Sequence, residues 1–102
     1  MGKFVLVYKG GATPTSEAEG AKVMEAWMGW FGTLGAAVVD GGNPFGASTA
    51  VQADGSSAAV TAGLSGYSIL TSDSLAGAAT LAKGCPILAA GGSVEVYEAH
   101  DM

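Results

Sequence analysis

The order of patterns along this chain predicts an α+β fold of the βαββαβ type. Short apolar runs rich in β-branched and aromatic residues stand at 3–8, 36–40, 67–70 and 93–98. A helical pattern follows the first run and another follows the third, and a polar excursion with glycine separates the two halves. Two β-α-β units in that order form a ferredoxin-like sandwich, a four-stranded antiparallel sheet with two helices on one face. At 102 residues, positions 1–102 make a single domain with room for one core.

Each element has its own justification. KFVLVY at 3–8 is a strand, and Gly10-Gly11 ends it. Thr13-Pro14-Thr15-Ser16 opens a helix, with Ser16 and Glu19 at capping-box spacing and acidic residues in the first turn. Val23, Trp27, Trp30 and Leu34 then recur on one helical face. Met24, Met28 and Phe31 widen this stripe well past 100°, which predicts a helix buried on more than one side. Gly35 stops it, and AAVVD at 36–40 is the second strand. Residues 48–52 form a further short strand, and Asp54-Gly55-Ser56-Ser57 a turn. YSIL at 67–70 is a strand, Ser72-Asp73-Ser74 offers N-caps, and 75–83 is an alanine-rich helix ended by Gly84. CPIL at 85–88 is a short turn, Gly91-Gly92 another, and SVEVYE at 93–98 the last strand.

Composition narrows the partners. Charged residues are 13% and hydrophobic ones 49% of the chain, where an ordinary soluble domain has roughly a quarter charged. The surface is therefore short of charge. In the first strand Phe4, Leu6 and Tyr8 alternate with Val5 and Val7, so both faces are apolar. Two helices cover one face of the sheet, and a homodimer through the other sheet face is the economical cover. The net charge of −5, with only Lys3, Lys9, Lys22 and Lys83 basic, excludes a nucleic-acid partner. No apolar run approaches the ~20 residues of a membrane span. A signal-peptide core is missing, and Leu6 stands where a myristoylation motif wants Ser or Thr. With one cysteine, Cys85, the chain fits a reducing, cytoplasmic setting.

Few residues carry chemistry. One His and one Cys give no metal-ligand spacing, so neither metal nor other cofactor is expected. His100 beside Asp101 has the makings of an acid-base pair, but adjacent residues on an extended chain point apart and the pair reads as a solvated tail. Cys85 in Gly-Cys-Pro reads as a nucleophile at a helical start or, more simply, as a small buried hydrophobe. Trp27 and Trp30, with Met24 and Met28, are either a pocket wall or plain core. The stretch VVDGGNPFG at 38–46 is no phosphate loop, because Asn43-Pro44 follows the glycines instead of a helix. Asp40 is then either a partly buried acid-base group or the residue that starts the turn. Phe45 is expected to fold back against the core or a partner subunit.

Four blocks, FVLVY, AWMGWFGTLGAAVVDGGNPFG, GYSILTSDSLAGAATLAKGCPIL and GGSVEVYE, resemble the YCII-related (DGPF) domain family of the dimeric α/β-barrel superfamily, from Phe4 to Glu98. The resemblance implies a ferredoxin-like subunit whose sheet packs on that of its mate to form a dimeric α/β barrel. It also implies a possible association with sigma-factor-type regulation. Some members are thought to pair a histidine on the first helix with an aspartate near the second strand, and Asp40 matches that aspartate. The first helix here has no histidine; Trp27 or Trp30 stands in its neighbourhood, and Asp54-Gly55-Ser56 occupies the turn comparable to the Asp-Gly-Pro-Phe tetrad. Two readings follow, and whether the chain is an enzyme is left open between them. One is a homodimeric small-ligand-binding or accessory domain with Trp27, Trp30, Phe45 and Tyr67 around its pocket. The other is a cofactor-free lyase or isomerase acting on a small organic acid, with Asp40 as its acid-base residue.

Overall fold

The computed structural model describes residues 2–11 and 15–100; Thr13, Pro14 and Asp101 lie outside the described residues. In chain order the elements are β1 (Gly2–Lys9), α1 (Glu17–Leu34), β2 (Val38–Asp40), β3 (Ala50–Val51), β4 (Ser57–Ala58), β5 (Leu64–Ser72), α2 (Leu75–Ala82), α3 (Pro86–Ala89) and β6 (Ser93–Ala99). Four strands make an antiparallel sheet in the order β2-β5-β1-β6, which is compatible with the ferredoxin-like arrangement. The expectation of two helices is corrected to three. CPIL at 85–88 does not stay a turn, because Pro86 sits at the first helical position, where its fixed φ suits a helix, and α3 winds from it.

Strand register separates two faces. Phe4, Leu6 and Tyr8 of β1 point to the helices and are at most 5% exposed. Leu70 of β5 joins them, and Val94 and Val96 of β6 pack on the same cluster. Trp30, Ala82, Cys85 and Ile87 close that core from the helical side. Ala78 and Ala82 are buried on α2, and their lack of bulk lets the helix approach the sheet closely. On the other face Val5 pairs with Ile69 and Tyr97, and Val7 with Tyr67 and Glu95. This row of residues has no helix over it, and Tyr97 and Val39 are more than half exposed.

α1 begins as its sequence directs. The Ser16 hydroxyl accepts from the Glu19 N–H at 3.1 Å, while the Glu19 carboxylate accepts from the Thr15 N–H and hydroxyl at 2.8 and 2.7 Å instead of from Ser16. These two donors hold the Glu19 carboxyl below its usual range. The expectation that α1 is buried on more than one side is corrected: Trp30 alone is buried, and Met24 and Met28 are 62% and 67% exposed. Among the described residues nothing covers their stripe. A 3-10 turn at Gly35–Ala37 shortens the second strand to Val38–Asp40.

The excursion at 48–58 is a separate two-stranded ribbon. Its strand is shorter than 48–52, with Ala50–Val51 pairing only with Ser57–Ala58. Asp54 makes the connecting turn, accepting from the Ser56 N–H at 2.9 Å and the Ser56 hydroxyl at 2.7 Å. The molecule is flat, 44 × 39 × 18 Å. It exposes 6684 Å², whereas a compact monomer of its 10.0 kDa exposes about 5,200 Å².

Candidate functional site

A cavity of about 510 Å³ opens between the first half of α1 and the end of the sheet where β2 runs into its following loop. Its loop wall is set by the segment 40–45. The Asp40 carboxylate accepts from the Gly42 N–H at 2.8 Å, which folds the chain into a tight turn. Gly42 has φ +76, and a Cβ there would lie 1.7 Å from the Tyr67 carbonyl oxygen, so only glycine fits. Beyond it the loop is stitched to β5: the Tyr67 N–H donates to the Asn43 carbonyl and the Phe45 N–H to that of Ser65. Pro44, which lacks an N–H, bridges to Gly66 on the sheet edge.

The opposite wall is aromatic. Trp27 meets Tyr8 edge-on, with centroids 5.0 Å apart and planes at 76°, and lies 5.9 Å from Phe31. Tyr8, Trp27, Phe31 and Ile87 line the interior, while Val23 and Met24 stand at the exposed side of α1. Gly66 faces Tyr8 across the β1–β5 pair, and its missing side chain leaves room beside the phenol ring.

One hydroxyl chain runs through the wall. Tyr8 Oη donates to Ser68 Oγ at 2.7 Å, and Ser68 Oγ donates to the Gly41 carbonyl at 2.7 Å. Ser68 is wholly buried, so this chain satisfies a polar group that would otherwise be costly in the core. Burial pushes the Tyr8 phenol up to about 12, so it stays neutral at any physiological pH. Among the described residues no Lys, Arg, His, Asp or Glu lines the cavity.

The residues singled out from sequence divide sharply. Trp27 and Tyr67 line the cavity. Trp30 does not: it is 7% exposed in the core, and its indole N–H donates to the Leu81 carbonyl at 3.2 Å. Phe45 stacks on the Tyr67 ring, with centroids 5.8 Å apart, outside the cavity lining. Asp40 is exposed, bonded to its own turn, and outside the lining. Cys85 is buried, and burial pushes its thiol up to about 11, the opposite of an activated nucleophile. His100 is on the surface with its Nε2 2.9 Å from a Glu98 carboxylate oxygen.

Sequence reasoning missed Tyr8, Ser68 and Ile87 as site residues. A signal existed for the first two: a phenol ends the helix-facing parity of β1, and a lone serine interrupts the apolar YSIL run. Both were polar atoms that the core had to satisfy. Among the described residues no group of three His, Cys, Asp or Glu is placed to hold a metal, and no helix is long and apolar enough to cross a membrane. No protein-family model, curated protein or solved structure matches the chain.

Proposed function

We propose that the chain is a homodimeric small-molecule-binding domain, with its ligand held on the helix side of the sheet and its partner subunit on the other side. The observation that carries the binding role is the cavity itself, about 510 Å³ and walled by Tyr8, Trp27 and Phe31. That volume lies within the range of small-molecule sites, as does its blend of apolar walls with a few fixed polar atoms. The dimer rests on the row Val5, Val7, Ile69 and Tyr97, and on the resemblance to sheet-paired YCII-related subunits. The surface surplus is larger than the about 800 Å² that a standard interface removes from each partner.

An acid-base enzyme built on Asp40 finds less support. A general base has to reach its substrate and needs a pKa suited to the task. Asp40 is exposed and spends an oxygen on the Gly42 N–H. The binding role is tested by titrating a diverse fragment set into labelled protein while following the two indole N–H resonances. Hits are expected to shift Trp27 and the Gly41 and Gly42 amides while leaving the Trp30 indole in place. A set that yields no ligand at these positions would contradict the proposal.

A further inference from the structure

We propose that the cavity selects an uncharged, planar aromatic molecule and rejects carboxylates of the same shape; this rests on the reading of the cavity as a ligand site. Three features of the lining lead there. First, no ionised side chain faces the space, so a carboxylate entering it would lose its hydration with no cation to replace it. The chain's net charge of −5 adds a repulsive field at longer range. Second, the walls are aromatic and set at angles to one another: Trp27 lies at 76° to Tyr8 and at 41° to Phe31. A flat ring added to such an array makes further offset or edge contacts, each about 0.5–1.5 kcal/mol beyond area burial. Third, the polar side chains in the wall, Tyr8, Asn43, Ser65, Tyr67 and Ser68, are hydroxyls and one carboxamide, all uncharged. Tyr8 Oη and Ser68 Oγ have committed their protons to each other and to the Gly41 carbonyl. Ser68 is wholly buried, so of the two it is the Tyr8 oxygen, with only acceptor capacity left, that suits a ligand hydroxyl or N–H donor.

A quaternary ammonium is the rival occupant, since aromatic rings also attract cations. A desolvated cation, however, is best held with a carboxylate nearby, and none lines this cavity.

The test uses three probes of one shape, 2-naphthol, 2-naphthoate and trimethyl(2-naphthyl)ammonium, titrated near neutral pH into full-length labelled protein. Amide and indole shifts are the readout. Naphthol is expected to bind at least tenfold more tightly than either charged probe and to shift the Trp27 indole and the Gly41, Gly42 and Gly66 amides. Trp27→Ala should weaken naphthol binding at least tenfold, and Met28→Ala, on the exposed side of α1 outside the cavity, should leave it unchanged. Because Trp27→Ala removes part of the packing, Met24→Lys serves as a second variant at a position 62% exposed. It should raise the naphthoate affinity about threefold relative to that of naphthol, the size of an exposed charge pair. Naphthoate or the ammonium binding as tightly as naphthol at these same residues overturns the neutral-ligand inference but leaves the cavity a binding site. No probe shifting these residues, or shifts confined to the bare sheet face, overturns both.

Discussion

Gly42 and Asp40 sit two residues apart and show how differently neighbouring positions in one turn are constrained. At Gly42 both the φ of +76 and the backbone of Tyr67 forbid a side chain. Gly42→Ala is expected to cost about 3 kcal/mol or more, seen as a lower urea midpoint, because strain and overlap act together. Asp40 supplies a single exposed hydrogen bond. Asp40→Asn keeps an acceptor oxygen and should leave both the melting temperature and ligand binding unchanged, whereas Asp40→Ala should cost about 0.5–1.5 kcal/mol. A loss of binding in Asp40→Asn at full stability would instead give Asp40 a direct role. Buried Tyr8 and Cys85 predict a pH dependence. Their folded pKa values are raised from 10.0 to about 12 and from 9.0 to about 11. The folded chain therefore keeps protons that the unfolded chain has released. Stability is fully present below about pH 9 and falls as pH climbs toward 12. Urea midpoints measured at rising pH check this, and Cys85→Ala should remove the lower part of the decline.

At the scale of elements, α1 is anchored along one edge only, through Trp27, Trp30, Phe31 and Leu34. Its N-terminus is fixed by Ser16, and Ser16→Ala should lower stability by about 1 kcal/mol in chemical denaturation. Its packing depends on Trp30 and the edge of Trp27, with Met24 and Met28 left in solvent. The capping signal and the strand alternation were legible because they are local: a serine three residues ahead of a glutamate, and a parity of two. The width of the apolar stripe was legible too, but not what would cover it, because periodicity carries no information about partners. Trp27 and Trp30 looked equivalent in sequence, and only the position of the Leu81 carbonyl beside Trp30 assigns one to the core and one to the cavity. Phe45 was out of reach for a similar reason, since its stacking on Tyr67 depends on how the loop crosses β5. α3 was masked by its brevity, although Pro86 marked its start.

For the whole molecule the unresolved balance is one of surface. Among the described residues, a flat chain 18 Å thick leaves the row Val5, Val7, Ile69 and Tyr97 without a helix over it and holds β3 and β4 as a ribbon paired to itself. Two-stranded ribbons are marginal in water by themselves, and an open apolar sheet face is rarely left to solvent. A second copy applied to that face would cover the row and would leave the cavity free on the helix side of each subunit. Tyr97→Lys, placing a charge on the bare face, should shift the assembly toward monomer while leaving the circular-dichroism spectrum unchanged. Size-exclusion chromatography with light scattering decides whether the sheet has a ligand side and a partner side. At micromolar concentration a particle of about twice the 10.0 kDa chain mass is expected. A stable, soluble particle at the single-chain mass would contradict it.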